Sequence, residues 1–201
     1  MATTHYASAD GYLNDAFPTV NYGTGNGLFT GASSGGNIMR SLFRFDISAT
    51  VGAVTAATFR LNVYSVPVAS QKPATIYRLT ETGWVEATAT WNTYDGSNAW
   101  PGGAGAATDT TEDGKVAFNL PAGAGWLEVP GLATICNDAI AGAAGIVNLL
   151  VKRDTEVDAP AANHYMSARS REYDSGSTKP ELVVTASAGR PAHPRFMWCS
   201  K

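Results

Sequence analysis

The chain has 201 residues, a formal net charge of −3 and a low charged fraction of 15%. This length, without a long linker, predicts one domain, and the weak acidic balance gives no basis for nucleic-acid binding. No apolar run reaches the length of a membrane span, and the first ten residues lack the pattern of a secretory signal. The two cysteines, Cys136 and Cys199, stand outside any C-x-x-C pair, which excludes a zinc ribbon and a thioredoxin motif.

The first part of the chain contains turn signals and short extended pieces. Asp10-Gly11 and Asn26-Gly27 predict turns, with extended chain around Tyr12-Leu13 and Leu28-Phe29. Residues 31–35 fit the G-x-S-x-G pattern of a hydrolase nucleophile elbow. That elbow requires a helix after it, whereas the following residues have a strand pattern, so the sequence predicts a loop without a catalytic role.

The segment 38–47 has the clearest strand pattern in the chain. Phe43 and Phe45 fall on one face of an extended strand, and Arg44 and Asp46 fall on the other. We interpret all four as structural. Arg44 and Asp46 would interact with each other or with a neighbouring strand, which ties strands and loops together and fixes strand register. A role of Asp46 in binding a ligand or a metal is the alternative.

Later segments predict further short strands and one helix. Alternating or apolar patterns mark strands at residues 58–64, 75–79, 115–120, 126–129, 146–152, 165–168 and 180–185. Asp113-Gly114 predicts a turn before the third of these strands. One buried helical stripe is formed by Leu132, Ile135, Cys136, Ala139 and Ile140. The sequence therefore predicts an all-β protein, an antiparallel jelly-roll β-sandwich over residues 1–186 with one short helix, followed by a C-terminal extension, 187–201.

Aromatic residues are concentrated between positions 84 and 100. Trp84, Trp91 and Trp100 must either bury a large apolar area or present it to a ligand. Tyr94 and Trp100 are candidate surface anchors for sugar rings or for a protein contact.

The sequence contains no catalytic pattern. The histidines have no metal-ligand spacing, and no pair of acids is marked for glycoside hydrolysis, so we predict a protein that is not an enzyme and has no organic cofactor. Calcium is the one metal considered, because loop carboxylates are hard oxygen ligands. The candidates are Asp10, Asp46, and Asp154 and Asp158 of an acidic loop.

The last fifteen residues form a basic, aromatic arm. Two prolines disfavour a regular helix, and large apolar side chains are costly to expose to water. We predict that the arm binds a protein partner, either a copy of the chain or a capsid or tail subunit; docking on its own sandwich is the alternative. The predicted contact residues are Arg190, Arg195, Phe196, Met197 and Trp198.

Several short motifs occur in an order that resembles a known family. They are Ala9-Asp10 with Tyr12, Asn21-Tyr22-Gly23, the segment 40–48, Ala57-Thr58-Phe59-Arg60-Leu61, Trp84-Val85-Glu86, Thr90-Trp91-Asn92, Leu149-Leu150-Val151-Lys152, Ser170-Arg171-Glu172 and the segment 179–185. In this order the chain resembles the DNRLRE-type domain, a carbohydrate-binding module of the disaggregatase-related group. The resemblance implies a jelly-roll sandwich without a catalytic centre, usually attached to secreted or surface proteins. Because Trp84 and Trp91 belong to the family pattern, it also implies that both are core residues.

Two functions follow as expectations. The first is a non-enzymatic assembly protein on a phage virion surface, a decoration, cement or fibre-type component that also adheres to surface polysaccharide. This expectation rests on the lack of a recognisable export signal and on the basic aromatic arm. The second is a secreted bacterial carbohydrate-binding module. The first predicts a virion location after synthesis in a host cytoplasm, and the second an extracellular one.

Overall fold

The computed structural model describes residues 1–68, 71–156, 163–173 and 177–188, which form ten strands and one helix. The strands are β1 (Ala2–Asn14), β2 (Gly27–Ala32), β3 (Ile38–Asp46), β4 (Val54–Ser65), β5 (Pro73–Leu79), β6 (Thr110–Asn119), β7 (Gly125–Pro130), β8 (Ile146–Arg153), β9 (His164–Arg169) and β10 (Glu181–Ala186). The helix α1 (Ala133–Gly142) lies between β7 and β8. The predicted all-β class with one short helix is confirmed. None of the described segments is a helix long and apolar enough to cross a membrane.

The strands pair to form a closed barrel with additions. All pairs are antiparallel. Neighbours follow the order β1-β10-β4-β9-β2-β3, and β1 also pairs with β3, so these six strands close a ring. Beyond β3 the order continues through β8, β5 and β6, and β7 pairs with β4. The described pairings are thus a six-strand barrel with four further strands, and they do not confirm the jelly-roll sandwich.

The barrel closes because β1 changes partner along its length. Residues 2–6 pair with β10, and residues 7–14 pair with β3, with a shift of register between Ala7 and Ala9. The turn predicted at Asp10-Gly11 is therefore wrong, since the strand runs straight through it. The Asp10 side chain is fully buried and accepts a hydrogen bond from the Arg171 backbone N–H (2.8 Å). This bond holds residues 10 and 11 in the extended conformation of the strand.

The main core fills the barrel and includes the predicted apolar face of β3. Phe43, Phe45 and Phe59 are completely buried. The Phe59 ring meets the other two edge-on, with centroid distances of 4.9 and 6.2 Å. Edge-to-face contacts of this kind add to the stabilisation from area burial.

The helix covers part of the main core with the stripe predicted from the sequence. Ile135, Cys136 and Ala139 are buried against it. Burial raises the pKa of the Cys136 thiol to about 12, so this cysteine stays a neutral apolar side chain.

A second core lies on the opposite side of β3 and β8. Leu42 of β3 and Leu150 of β8 are paired in register and point to this side. The segment 80–109 covers them, with Trp84 fully buried and Trp91 packed at the margin. The predicted core position of Trp84 is confirmed. Because both sides of β3 are covered, most of its residues are buried.

The turn predicted at Asp113-Gly114 lies inside β6, as a local irregularity. Gly114 has a φ of +71°, a conformation that favours glycine. The pairing of β6 with β5 shifts register here, between the partners of Ile76 and Arg78. The glycine therefore marks an irregularity of the β5–β6 ladder, in which residues 112–115 stand opposite Tyr77 alone.

Candidate functional site

The candidate site lies on the side of β7, β4, β9 and β2 that faces away from the main core. Register places Trp126 beside Asn62 and Arg169 beside Gly27. Arg169 Nε donates a hydrogen bond to Asn62 Oδ1 (3.1 Å), which joins the two pairs into one row across four strands. At about 4.8 Å per strand the row spans roughly 14 Å. We define the outer face as Asn62, Tyr64, Trp126, Arg169 and Tyr173.

Two exposed tyrosines flank the cation of the outer face. The Arg169 guanidinium lies 3.6 Å from the ring centroid of Tyr173 and 5.7 Å from that of Tyr64. These rings are 44% and 43% exposed, well above the exposure of core aromatics. Cation–π contact holds the guanidinium in place. With Asn26 and Gly27 these three side chains line a groove of about 310 Å³.

Trp126 marks the other end of the row. Its indole is 38% exposed, and the Arg60 guanidinium lies 4.6 Å from its ring centroid. Arg60 is itself held by salt bridges to Glu128 and Glu181. The tryptophan ring is therefore oriented by a neighbour that is already fixed, while one side stays open to solvent.

A line of half-buried aromatic rings borders the groove. Tyr22 stacks on Tyr12 (centroids 4.3 Å apart), Tyr12 contacts Phe29 (5.0 Å), and Phe29 contacts Tyr165 (5.9 Å). Burial, together with the neighbouring phenols, raises the pKa of Tyr12, so its hydroxyl stays neutral. Phe29 lies two residues after Gly27, on the same side of β2. The line therefore extends the aromatic surface beyond the groove.

A second feature is a cluster of three carboxylates between β1, the segment 80–109 and the residues after β9. One oxygen from each of Asp10, Glu86 and Glu172 lies within 4.8 Å of the others. Arg171 Nε and Nη2 donate to the two Glu86 oxygens (2.7 Å each), and Arg171 also pairs with Glu172. The Asp10 backbone N–H donates to Glu86 Oε1 (2.7 Å).

The cluster is electrostatically unfavourable in its fully charged form. Burial raises the pKa of Asp10 to about 8, and the charges of Glu172 and Glu86 act in the same direction. Burial also raises the pKa of Glu172, again assisted by Glu86. Asp10 Oδ1 and Glu172 Oε2 are buried without a hydrogen-bond donor among the described residues.

The two predicted aromatic anchors occupy different environments. Trp100 is only 3% exposed, and its indole N–H donates to the Thr90 carbonyl (2.9 Å). Its predicted exposure is wrong, because one carbonyl satisfies its single polar group and allows the ring to be buried. Tyr94 is half-buried and meets the Trp100 ring edge-on at 6.0 Å. A glycan role for Tyr94 stays a prediction.

Of the predicted calcium ligands, Asp10 belongs to the carboxylate cluster, whereas Asp46 and Asp154 do not. Asp46 is exposed and accepts a hydrogen bond from the Ser48 backbone N–H (2.9 Å). Asp154 is exposed and accepts one from Thr75 Oγ1 (2.6 Å). In the described ranges neither belongs to a group of three potential ligands, and Asp158 lies outside those ranges. Calcium binding at these three positions stays a prediction.

Arg44 has the structural role predicted for it, although its described partners lie on a neighbouring strand and a loop and do not include Asp46. Arg44 Nε donates to Asn148 Oδ1 (2.9 Å), and its Nη2 donates to the carbonyls of Thr82 and Trp84 (2.8 Å each). The side chain therefore fastens the covering segment 80–109 to β3.

The predicted partner-binding residues all belong to the C-terminal arm. Arg190, Arg195, Phe196, Met197 and Trp198 lie outside the described residues. Their role in binding a partner therefore stays a prediction.

The outer face has only a weak signal in the sequence. The available signal was the alternation of side chains between the two faces of a strand. Tyr64 follows the inward-facing Val63, and Trp126 precedes Leu127, which packs on the core, so both aromatic residues should face outward. An aromatic residue at an outward position is unusual enough to be a candidate for binding. Arg169 and Tyr173 had no comparable signal, because they meet Tyr64 only through the pairing of β4 with β9.

Comparison with known proteins identifies a family for the chain. The model of carbohydrate-binding module family 96 matches residues 1–103, just over half of the chain. No curated protein matches the sequence. The family match supports the carbohydrate-binding interpretation and gives no support to virion assembly. The chain belongs to carbohydrate-binding module family 96.

Proposed function

We propose that the chain binds a polysaccharide on the outer face. The observation that supports this most directly is the presence of three exposed aromatic rings on one face: Tyr64 and Tyr173 flank Arg169, and Trp126 lies at the other end of the same row. Exposed apolar groups gathered in this way mark ligand-binding surfaces. Membership of the family supports the same function.

The chemistry of the surface suits a sugar. Aromatic rings offer flat apolar faces for the C–H side of a pyranose. Asn62 and Arg169 offer amide and guanidinium groups for sugar hydroxyls, and their mutual hydrogen bond fixes both in advance. Because the donors and two of the rings contact one another before binding, little side-chain entropy is lost when a ligand arrives.

We further propose that binding is not accompanied by catalysis, as is typical of such modules. Hydrolysis of a glycoside uses two carboxyl groups on either side of the scissile bond. The carboxylate cluster brings three acids together, but Asp10 is completely buried. A sugar cannot reach it without unfolding the surrounding strands.

This function has consequences for partner and location. The partner is a polysaccharide, and the corresponding location is extracellular, where such modules serve secreted or surface proteins. Within this proposal the DNRLRE-type resemblance and the family 96 match describe the same kind of module. The motifs at residues 9–12, 21–23, 40–48 and 84–92 all lie inside the matched range.

The proposal predicts selective loss of binding in outer-face variants. In affinity electrophoresis against a panel of soluble polysaccharides, Tyr64→Ala, Tyr173→Ala and Trp126→Ala should each weaken binding about tenfold or more, since each removes a stacking surface. Tenfold corresponds to about 1.4 kcal/mol. The melting temperature should change little, because all three rings are exposed.

Phe17→Ala is the matched control. Phe17 is an exposed aromatic residue, at 54%, outside the outer face. It should bind like the wild type. An equal loss of polysaccharide affinity in Phe17→Ala and in the outer-face variants would contradict the proposal. A folded wild-type protein that binds no polysaccharide of the panel would contradict it as well.

A further inference from the structure

We propose that Asp10, Glu86 and Glu172 bind a calcium ion, which fixes the outer face and thereby supports the proposed function. The three side chains come from β1, from the segment 80–109 and from the residues after β9. A cation held by all three would join parts of the chain that are far apart in sequence.

The charge of the cluster favours a divalent cation. Three carboxylates face a single guanidinium, that of Arg171, which contacts two of them. The formal charges of the three carboxylates and the guanidinium sum to −2 when all four groups are ionised. Buried charges need compensation by a partner or a metal, and one divalent ion brings the sum to zero.

Unsatisfied acceptors are an independent indication of a missing ligand. Asp10 is 0% exposed, and its Oδ1 has no hydrogen-bond donor among the described residues. Glu172 Oε2 is also buried and has no hydrogen-bond donor among the described residues. An unpartnered buried acceptor is costly, and two in a single cluster are explained together by one cation. Glu86 differs, because both of its oxygens accept hydrogen bonds from Arg171.

The donor set selects the type of metal. All ligand atoms are carboxylate oxygens, which suit hard cations, whereas zinc and copper sites use histidine or cysteine. Magnesium requires near-ideal octahedral geometry, whereas calcium accepts irregular arrangements with carbonyl and water oxygens completing the shell. Ligands from three separate parts of the chain, two of them already paired with Arg171, fit calcium better.

The position of the cluster connects it to the outer face. Glu172 directly precedes Tyr173, and Arg169 lies three residues before Glu172. The intervening Ser170 is buried and donates from Oγ to the Gly25 carbonyl (2.7 Å). An ion on Glu172 would therefore restrain the short segment that presents Tyr173 to the groove.

The test is calcium binding by protein stripped with a chelator, measured by titration calorimetry without any glycan. We expect one site per chain, and a melting temperature about 5–10 °C higher with calcium at roughly 100 times its Kd. Asp10→Asn and Glu172→Gln should each weaken calcium binding at least tenfold. Asp95→Asn, which changes a surface carboxylate bonded within its own loop, should bind like the wild type.

Each outcome bears on the proposal. If stripped protein shows neither heat of binding nor a shift in melting temperature with calcium, the metal site is refuted even if the glycan binds. If magnesium stabilises the protein more than calcium does, the choice of calcium is wrong. If Asp10→Asn misfolds, Glu172→Gln decides, since that position is only half-buried; calcium affinity unchanged in Glu172→Gln would overturn the assignment.

Discussion

Replacing Trp84 with alanine is expected to lower the free energy of unfolding by about 3–5 kcal/mol. Trp84 is only 1% exposed and is the largest fully buried side chain in the part of the chain that the structure describes. Its indole N–H donates to Asn148 Oδ1 (2.9 Å), and the Arg44 guanidinium lies 4.7 Å from its ring centroid. Alanine would leave a cavity in the second core and remove the ring from a partly buried cation. A loss of this size is a large part of the stability of a typical domain.

Trp126→Ala is the matched control, because it makes the same change at an exposed ring. Urea unfolding followed by circular dichroism should show a cost below about 1 kcal/mol for Trp126→Ala. Similar costs at both positions would mean that the segment 80–109 does not pack on β3 and β8 as described.

The second large effect is expected for Gly23→Ala. A Cβ at this position would lie 1.8 Å from the Glu86 carbonyl oxygen, a contact with backbone that no side-chain rotation relieves. Asn21 secures the same region by donating from Nδ2 to the carbonyls of Glu86 (2.8 Å) and Ala89 (2.7 Å). The substitution must push Glu86 away, which disturbs these bonds and the Glu86–Arg171 salt bridge. We expect a cost of about 3 kcal/mol or more.

Gly25→Ala tests whether this cost arises from the close approach. A Cβ there would meet only the Tyr22 carbonyl oxygen, at 3.9 Å, which is an ordinary contact. Thermal unfolding should give a wild-type midpoint for Gly25→Ala and a strongly lowered one for Gly23→Ala. A Gly23→Ala protein as stable as the wild type would show that residues 21–23 do not contact the covering segment in solution.

The parts of the fold that the sequence could predict are those with strong local patterns. The strand at β3 and the helix α1 have apolar residues at spacings that only one type of element explains. Both lie within two residues of their predicted positions. Their burial follows from the same patterns, which is why Phe43 and Cys136 were correctly interpreted as core residues.

Long-range context decided the features that the sequence could not predict. Asp10-Gly11 has the chemistry of a turn, yet it lies within a strand because Asp10 is bonded to Arg171, 161 residues away. The carboxylate cluster assembles in the same way, and local spacing gives no sign that Glu86 and Glu172 meet. Barrel closure likewise depends on one strand having two partners.

The exposure of the tryptophans was the least predictable feature of the candidate site. Trp100 and Trp126 are the same residue type, and one is buried while the other is exposed. The difference depends on which segment covers which sheet. In β7 the alternation of the strand places Trp126 outward, whereas Trp100 lies in irregular chain, for which no periodicity indicates direction.

Amide NMR during titration with a polysaccharide fragment tests the location of the binding surface most directly. Our account predicts that the largest shifts occur at Asn62, Tyr64, Arg169 and Tyr173 and at the Trp126 indole, with small changes elsewhere. Shifts confined to the loop around Tyr94, or to residues 187–201, would contradict it and place the ligand on a different part of the molecule.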